Sequence, residues 1–292
     1  MKRRILQDGI EYIQFVLPIF ALFALFFLVP FVQGLFYSFT DWNSLSKHPQ
    51  FTGVRNYIAA VGDHDFLHSI SFTLYYTLIY LVAVNVIAML LALLMTRPMA
   101  TAGALRATLF SPYILNVVTI GFVWQFIFGR FFTSMFQHSG FFLFGISWLG
   151  DDRLVAYTVA IVKTWQSVGY FMILYIAGLQ MIPTELYEVA TIDGAGAWRL
   201  FWKLTLPLLM PSVTVAVFLA LVGGMTVFPL ILTLTGGGPG KSSTSIAMYI
   251  YAVAFEQQRF GYGSALAVLF VVMMLVISLL QLKVFRSREA SE

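Results

Sequence analysis

The chain has 292 residues, of which 60% are hydrophobic and only 10% are charged. A soluble domain carries about 25% charged residues, so this composition excludes an ordinary soluble domain and indicates a protein embedded in lipid. The chain has no cysteine, which excludes disulfides and thiolate metal sites. The net charge of +4 is small and fits cytoplasmic lysine and arginine beside a membrane better than nucleic-acid binding.

Six stretches are long and apolar enough to span a bilayer, which takes about 20 residues of helix. These predicted spans cover residues 14–39, 69–95, 105–128, 154–179, 206–234 and 264–284. The first follows Lys2, Arg3 and Arg4 like a signal peptide, but its length and the absence of a small-residue cleavage site predict a retained anchor. A seventh apolar stretch, 246–255, is too short to span and is predicted to lie in the interface or against the bundle. The predicted fold is an all-α integral membrane protein with one domain over residues 1–292.

The placement of lysine and arginine predicts the orientation of these spans, because cytoplasmic segments carry the excess. With the N-terminus inside, ten basic residues fall in cytoplasmic segments: Lys2, Arg3, Arg4, Arg97, Arg106, Arg199, Lys203, Lys283, Arg286 and Arg288. Six fall in outside segments: Lys47, Arg55, Arg130, Arg153, Lys241 and Arg259. Both termini are therefore predicted to be cytoplasmic.

The acidic residues and histidines test which functions are possible. All thirteen carboxylates fall in predicted loops, termini or span edges. Ion-coupled carriers commonly place acidic residues inside the membrane, and an intramembrane hydrolase would need paired carboxylates or clustered histidines. The histidines lack the spacing of metal ligands and fall in outside segments: His48, His64, His68 and His138. The sequence therefore argues against ion coupling, catalysis and a metal site.

Lys163 is the exception, since it lies about nine residues into the fourth predicted span. A lone cation there costs a few kcal/mol. Ser167 and Tyr170 follow at i+4 and i+7, so the three residues share one helix face. That face suits a polyhydroxylated ligand in an aqueous path. Two other interpretations are open: the lysine snorkels to the interface, or the face packs inside the bundle.

The longest predicted cytoplasmic loop has the signals of two short helices. Thr184 is predicted as the N-cap of the first helix, and Glu185 in its first turn suits the helix dipole. Gly194 is predicted to end that helix with a positive φ, which only glycine adopts without penalty. A second short helix is predicted at 197–205. The alternative is an amphipathic connector lying on lipid.

The loop, at about 182–207, resembles the coupling loop of ATP-binding-cassette importer permeases. That signature reads Glu-Ala-Ala, three residues, Gly, nine residues, then Ile-x-Leu-Pro. Here Glu188-Val189-Ala190 is followed by three residues and Gly194, and nine more residues lead to Leu204-Thr205-Leu206-Pro207. Two residues depart from the signature, while the spacing is intact. Pro207 is predicted to open the fifth span.

The resemblance extends over nearly the whole chain. Further matching segments are Asn56-Tyr57, Arg106, Trp124, the Gly-rich stretch from Leu234 to Gly240, Ser243-Thr244, Tyr249-Ile-Tyr251 and Gly261-Tyr-Gly-Ser-Ala265. Together they resemble the first of the two permeases in maltose-type and glycerol-phosphate-type carbohydrate importers. The resemblance implies a permease subunit that carries a sugar or oligosaccharide by alternating access in a prokaryotic inner membrane.

The same resemblance implies the partners of this subunit. They are a second homologous permease, two ATP-binding-cassette ATPases, an extracytoplasmic solute-binding protein, the sugar and the lipid bilayer, with no nucleic acid. The chain has no Walker A sequence, so nucleotide is expected on the partners, and neither a cofactor nor bond chemistry is expected here. The alternative function is an ion-coupled secondary sugar carrier, and a membrane enzyme is a more distant rival.

The resemblance also implies site residues. The candidates for ATPase coupling are Glu185, Glu188, Ala190, Asp193 and Gly194. The candidates for the substrate path are Lys163, Ser167 and Tyr170 before the loop, and Ala220, Gly223 and Gly224 after it. The first three coincide with the face found from spacing alone. The last three lack the polar or aromatic side chains usual in the family, so Gly223-Gly224 either widens the path or packs closely on a neighbouring helix.

Overall fold

The computed structural model describes residues 14–45 and 49–289. Its helices are α1 (Gln14–Tyr37), α2 (Arg55–Val61), α3 (His64–Met95), α4 (Ala102–Ile114), α5 (Val117–Ser139), α6 (Phe142–Gly145), α7 (Val155–Gln180), α8 (Thr184–Ile192), α9 (Ala197–Leu208), α10 (Met210–Met225), α11 (Pro229–Leu234), α12 (Ile246–Glu256) and α13 (Phe260–Glu289). The predicted all-α class is confirmed. The basic residues Lys2, Arg3, Arg4 and Lys47, and also His48, lie outside the described residues.

Among residues 14–45 and 49–289, five helices are long and apolar enough to cross a membrane, namely α1, α3, α5, α7 and α13, and there are six if the bent pair α9–α10 is one span. The predicted number of about six spans is confirmed. The first, second, fourth and sixth predicted spans begin and end within about five residues of α1, α3, α7 and α13. The short apolar stretch also forms a helix, α12, whose 11 residues are too few to span a bilayer.

The predicted third span, 105–128, is wrong as a single helix. The backbone is extended at Leu115, with ψ 145°, and the chain divides there into α4 and α5. Asn116 is the N-cap of α5, because its side chain accepts a hydrogen bond of 2.9 Å from the backbone N–H of Val118. The sequence is apolar on both sides of this break, so hydropathy does not detect it. The capping asparagine is the residue that indicates it.

The predicted fifth span, 206–234, is also wrong as a single helix. Pro207 lies in the last turn of α9 instead of opening the span, and α10 leaves α9 at an angle of 72°. Pro211 has no N–H to donate to the carbonyl of Pro207, so the helical hydrogen-bond ladder is interrupted there. The chain breaks again after α10, and Pro229 begins α11. Prolines, which hydropathy ignores, therefore divide this apolar stretch into three helices.

The described chain divides into two compact units. The first contains residues 14–63 and 250–271. Within it the Asn56 amide donates to the carbonyls of Ser38, at 2.9 Å, and Thr40, at 2.8 Å. The neighbouring Tyr57 hydroxyl lies 2.6 Å from the Ser38 hydroxyl. This pair of residues therefore fixes the chain that leaves α1.

The second unit contains residues 64–249 and 272–289, and its core lies between α3 and α7. Polar contacts show that these two helices run in the same direction, since residues later in α3 contact residues later in α7. The Tyr75 hydroxyl lies 2.5 Å from that of Tyr157, and the Tyr175 hydroxyl donates to Asn85 at 2.6 Å. Helix α4 packs against α7, α10 packs against α3, and α11 packs against α5. We call the line of contact between α3 and α7 the α3–α7 seam.

Candidate functional site

Helix α8 starts differently from the prediction. Pro183, with φ −58° and ψ 134°, occupies the N-cap position, and Thr184 is the first helical residue. No side chain caps this helix, so the predicted capping role of Thr184 is wrong. The proline ring fixes φ and removes one N–H, so the chain turns into the helix one residue earlier than the threonine signal indicates. Glu185 lies in the first turn, as predicted.

The end of α8 depends on the backbone of one glycine. Gly194 has φ +76°, and its N–H donates to the carbonyl of Thr191 at 3.0 Å. The N–H of Ala195 donates to the carbonyl of Ala190 at 2.9 Å, which completes a left-handed helix stop. A Cβ at position 194 would have no neighbour within 4 Å. Glycine is therefore required here because of the backbone conformation and not because space is short. The predicted positive φ is confirmed.

One side of α8 is anchored and the others are open. The Tyr187 hydroxyl donates to the buried Thr205 hydroxyl at 3.2 Å, which ties α8 to α9. Of the candidate coupling residues Ala190 is half-buried, and the following are exposed: Glu185, Glu188, Asp193 and Gly194. Large apolar side chains are exposed between these carboxylates, with Val189 58% and Ile192 85% exposed. Such a mixed surface without a partner is typical of an interaction site.

The polar face of α7 reaches the α3–α7 seam at Ser167. The Lys163 ammonium is half-buried and donates to the Gln166 side chain at 3.2 Å. The Ser167 hydroxyl is buried and donates to the carbonyl of Lys163 at 2.7 Å. The Ser167 oxygen lies 2.9 Å from the hydroxyl of Tyr80. Because the Ser167 proton is already used in the bond to Lys163, the Tyr80 hydroxyl donates to Ser167. The structure thus places Lys163 and Ser167 together and adds Tyr80 to them.

Tyr170 lies one turn further along α7 and contacts a different helix. Its ring stacks on that of Tyr113 from α4, with centroids 4.6 Å apart and planes 15° apart. A Cβ at Gly169 would collide with the backbone of Leu109, so this glycine lets α4 and α7 approach closely. Tyr80 and Tyr113 are not among the residues predicted from the sequence. Their position inside apolar stretches could have indicated them, because a buried tyrosine hydroxyl usually has a hydrogen-bond partner.

The three candidate path residues on α10 have different surroundings. Ala220 is completely buried. A Cβ at Gly224 would lie 2.8 Å from Cγ2 of Thr77, so this glycine allows α10 to pack tightly on α3. A Cβ at Gly223 would have no neighbour within 4 Å. The two glycines therefore differ, because Gly224 is a packing position and Gly223 faces open space.

Several buried hydroxyls near the α3–α7 seam have no hydrogen-bond partner among the described residues. They belong to Tyr76, Thr77 and Thr164. A buried hydroxyl without a partner costs about 1–3 kcal/mol. The centre of the second unit thus has unused hydrogen-bonding capacity next to the candidate path. No three histidine, aspartate or glutamate side chains of residues 14–45 and 49–289 are placed to hold a metal ion together.

About six helices are long and apolar enough to span a membrane, and the second unit has a polar seam in its core and the exposed helix α8. These features are those of a multi-pass membrane protein. Residues 64–288 match the family described as the binding-protein-dependent transport system inner membrane component, and the chain belongs to that family. It is therefore a transport subunit and not an enzyme. The secondary-carrier alternative is not supported.

Two relatives illustrate the similarity. The chain is 34% identical, over 99% of its length and 98% of the relative's, to the probable starch degradation products transport system permease protein AmyD of Thermoanaerobacterium thermosulfurigenes. It is 33% identical, over 90% of its length and 91% of the relative's, to the multiple sugar-binding transport system permease protein MsmF of Streptococcus mutans.

The fold resembles that of a chain in the crystal structure of a bacterial ABC transporter involved in the import of the acidic polysaccharide alginate. The TM-score is 0.84, at 23% sequence identity, and 98% of each chain is covered. A second structure shows a bacterial alginate ABC transporter in complex with an alginate pentasaccharide-bound periplasmic protein, with a TM-score of 0.83 at 21% identity and 99% and 98% coverage. These similarities show that the fold is shared.

Proposed function

We propose that this chain is the permease of an ATP-binding-cassette importer for a sugar or oligosaccharide. Several relatives are named for starch degradation products, multiple sugars, trehalose/maltose, diacetylchitobiose and sulfoquinovosyl glycerol, which favours a sugar or glycoside as substrate. The single observation that carries the mechanism is α8, an exposed helix that ends at a left-handed glycine and is tied to the bundle through Tyr187. A rigid link of this kind can transmit motion from a partner to the spans.

Helix α8 is proposed to dock into a cleft of a partner ATPase. The Glu188 carboxylate is exposed for a charged contact, and the apolar Val189 and Ile192 would be buried on docking. ATP binding and hydrolysis on two partner ATPases would then move α8 together with α9. A second, homologous permease and an external binding protein complete the proposed assembly.

The proposed substrate path runs along α7 at Lys163, Ser167 and Tyr170. In this structure the Ser167 hydroxyl is bound to Tyr80 and the Tyr170 ring is stacked on Tyr113. Sugar hydroxyls, which both donate and accept, can replace the first contact, and the C–H face of a sugar can replace the stacked ring. These contacts support a path that is closed by Tyr80 and Tyr113 and that alternating access would open.

The orientation follows from this assignment. If α8 meets a cytoplasmic ATPase, the end of α7 at Val155 faces the outside, because a helix of 26 residues is about 39 Å long. The placement of lysine and arginine supports the same direction, with both termini in the cytoplasm.

Uptake by the complete importer tests the proposal. The chain is expressed with its partner subunits, and radiolabelled maltose, maltotriose and trehalose are offered in the presence of the binding protein. We expect uptake of at least one sugar, which stops when ATP is depleted and continues when the proton and sodium gradients are collapsed. Uptake that follows the ion gradients instead, or the absence of uptake of all three sugars, would contradict the proposal.

A further inference from the structure

A polar groove lies at the end of α7 that is opposite α8. Two adjoining cavities, of about 870 Å³ and 430 Å³, share four lining residues: His68, Asp152, Arg153 and Ser242. The larger cavity extends between the loop before α7 and the Gly-rich loop before α12, where Pro239 and Gly240 line it. The smaller one extends down to Tyr75 and Tyr157, at the start of the α3–α7 seam. All these residues belong to the second unit.

The wall formed by the Gly-rich loop is fixed to α3 at two points. The Lys241 ammonium forms an ion pair of 2.7 Å with the Asp65 carboxylate. The backbone N–H of Ile246 donates to the buried hydroxyl of Thr73 at 3.0 Å. Between these points the Thr235 and Ser243 hydroxyls lie 2.8 Å apart and bridge the loop. The wall is therefore held in a defined conformation.

The opposite wall is held in a similar way. The Thr158 hydroxyl of α7 donates to the carbonyl of Trp148 at 2.8 Å, which fixes the preceding loop to the helix. The Asp151 carboxylate accepts the backbone N–H of Arg153 at 2.8 Å, which turns the chain into α7. This turn directs residues 152 and 153 to the groove that they line.

The lining carries side chains that are free to bind a ligand. Within the part of the chain that the structure describes, the Asp152 carboxylate and the Arg153 guanidinium form no ion pair, and the Ser242 hydroxyl has no hydrogen-bond partner. His68 is exposed beside them. At the floor, the Tyr75 and Tyr157 rings meet edge to face and are 47% and 42% exposed.

We propose that this outer groove binds a saccharide, at a site separate from the path on α7. Sugar hydroxyls need donors and acceptors side by side, which the guanidinium, imidazole, carboxylate and tyrosine hydroxyls provide. Exposed tyrosine rings offer apolar surface for the C–H faces of a sugar ring. Both cavities fall in the usual range of about 300–1,000 Å³ for small-molecule sites. The saccharide class rests on the proposed function.

The position of the outer groove suits a site that a saccharide occupies before it reaches the path. Tyr157 precedes Ser167 by ten residues, which is about 15 Å along one helix. Tyr75 precedes Tyr80 by five residues of α3, or about 7.5 Å. The groove and the path are thus two separate places along one polar seam.

Protection of an introduced cysteine tests the proposal. The chain has no native cysteine, so Ser71→Cys places a unique thiol at the exposed lining of the smaller cavity. The complete importer, without its binding protein, is treated in nanodiscs with a membrane-impermeant maleimide, and labelling of this chain is measured on a gel. Maltose, maltotriose and trehalose are each added. A site with a Kd of about 1 mM is four-fifths occupied at about 4 mM saccharide, so labelling should slow about fivefold and saturate.

Two controls separate specific binding from general effects. Ser139→Cys lies at the exposed end of α5 and lines neither cavity, so its labelling should not change with saccharide. In the Ser71→Cys background, Arg153→Gln removes the charge from a hydrogen bond to the saccharide, so the half-protecting concentration should rise about tenfold, or about 1.4 kcal/mol. Arg130→Gln, an exposed arginine on α5, should leave it unchanged.

The outcomes decide between the groove and the transport proposal. If none of the three sugars protects the thiol of Ser71→Cys, the proposed saccharide site in the outer groove is overturned, even when ATP-driven sugar uptake is normal. In a second arm, the purified binding protein is added without sugar. Protection by that protein, with no protection by any free sugar, would make the groove a protein contact and would overturn the proposal. Protection by a sugar without any uptake would support the groove and contradict the proposed transport function.

Discussion

The Tyr80 hydroxyl lies 2.9 Å from Oγ of Ser167 and joins α3 to α7 at the centre of the candidate path. Ser167 already donates to the carbonyl of Lys163 at 2.7 Å, so its oxygen is the acceptor for Tyr80. Only 2% of Ser167 is exposed. The side chain that should meet a substrate hydroxyl is thus satisfied by a protein hydroxyl in this structure.

Tyr80→Phe should therefore change transport more than it changes stability. It removes one buried hydrogen bond, worth about 1 kcal/mol, and leaves the Ser167 hydroxyl free for a substrate. We expect the sugar concentration for half-maximal uptake to shift several-fold. Tyr175→Phe is the matched control, because it also removes one hydroxyl from the seam, that bound to Asn85 at 2.6 Å. Equal effects of both changes on uptake would show that Tyr80 has only a structural role.

Lys163→Met tests whether the lysine meets substrate. Methionine keeps an unbranched stem and removes the charge, so a lysine that only snorkels can be replaced without loss of uptake. Because the ammonium is half-buried and bound to Gln166 inside the seam, we expect uptake to fall about tenfold while the assembled importer is recovered in normal amount. Full uptake with raised expression would assign Lys163 to the interface.

Alanine at the two neighbouring glycines of α10 should affect stability differently. Gly224→Ala places a methyl group 2.8 Å from the Thr77 side chain, so either that side chain or α10 must shift. We expect lower thermal stability and poorer assembly, by about 1–3 kcal/mol for overpacking. Gly223→Ala meets open space and should leave assembly normal. Its effect on uptake then reports whether position 223 lines the path, and equal loss of stability in both variants would contradict the packing assignment.

The number of spans and the helix α8 could be predicted because each depends on a local signal. Continuous apolar runs of about 20 residues predict spans wherever no side chain interrupts the helix. Gly194 could be predicted because a positive φ restricts the choice of residue at that position. The breaks at Asn116 and Pro211 were missed because hydropathy averages over single capping or helix-breaking residues.

The surroundings of the path residues could not be predicted, since they depend on which helices become neighbours. Spacing placed Ser167 on one face of α7, but only the fold brings Tyr80 from α3 against it. Nor does the sequence distinguish Gly223 from Gly224. The difference between them arises because Thr77 of α3 lies against one and not the other.

Glu188→Lys should abolish uptake. Glu188 is exposed on α8, so lysine fits without a clash and the chain should still insert and fold. If α8 docks into a partner ATPase, reversal of this charge places repulsion at the contact. We expect less ATPase to be co-purified with the permease and no measurable uptake. Glu256→Lys, at the exposed end of α12, is the matched charge reversal and should transport normally. Normal uptake by Glu188→Lys would exclude a role for this carboxylate in docking.

Gly194 should be required for its backbone conformation. With φ +76°, a β-branched residue is strongly disfavoured, whereas asparagine tolerates this region better. Because a Cβ meets nothing within 4 Å, the loss in Gly194→Val would come from strain, of about 1 kcal/mol or more, and from a changed direction of the chain after α8.

We therefore expect Gly194→Val to hydrolyse ATP without matching uptake, or to lose the ATPase on purification, while Gly194→Asn retains most uptake. Gly196→Val is the control, because Gly196 has φ −71° and ψ 162°, a conformation that valine adopts freely, and it also has open space around its Cα. The ratio of sugar transported to ATP hydrolysed in proteoliposomes is the measurement. If the valine variants at positions 194 and 196 have the same ratio as the unmodified chain, then the left-handed helix stop does not position α8 for coupling.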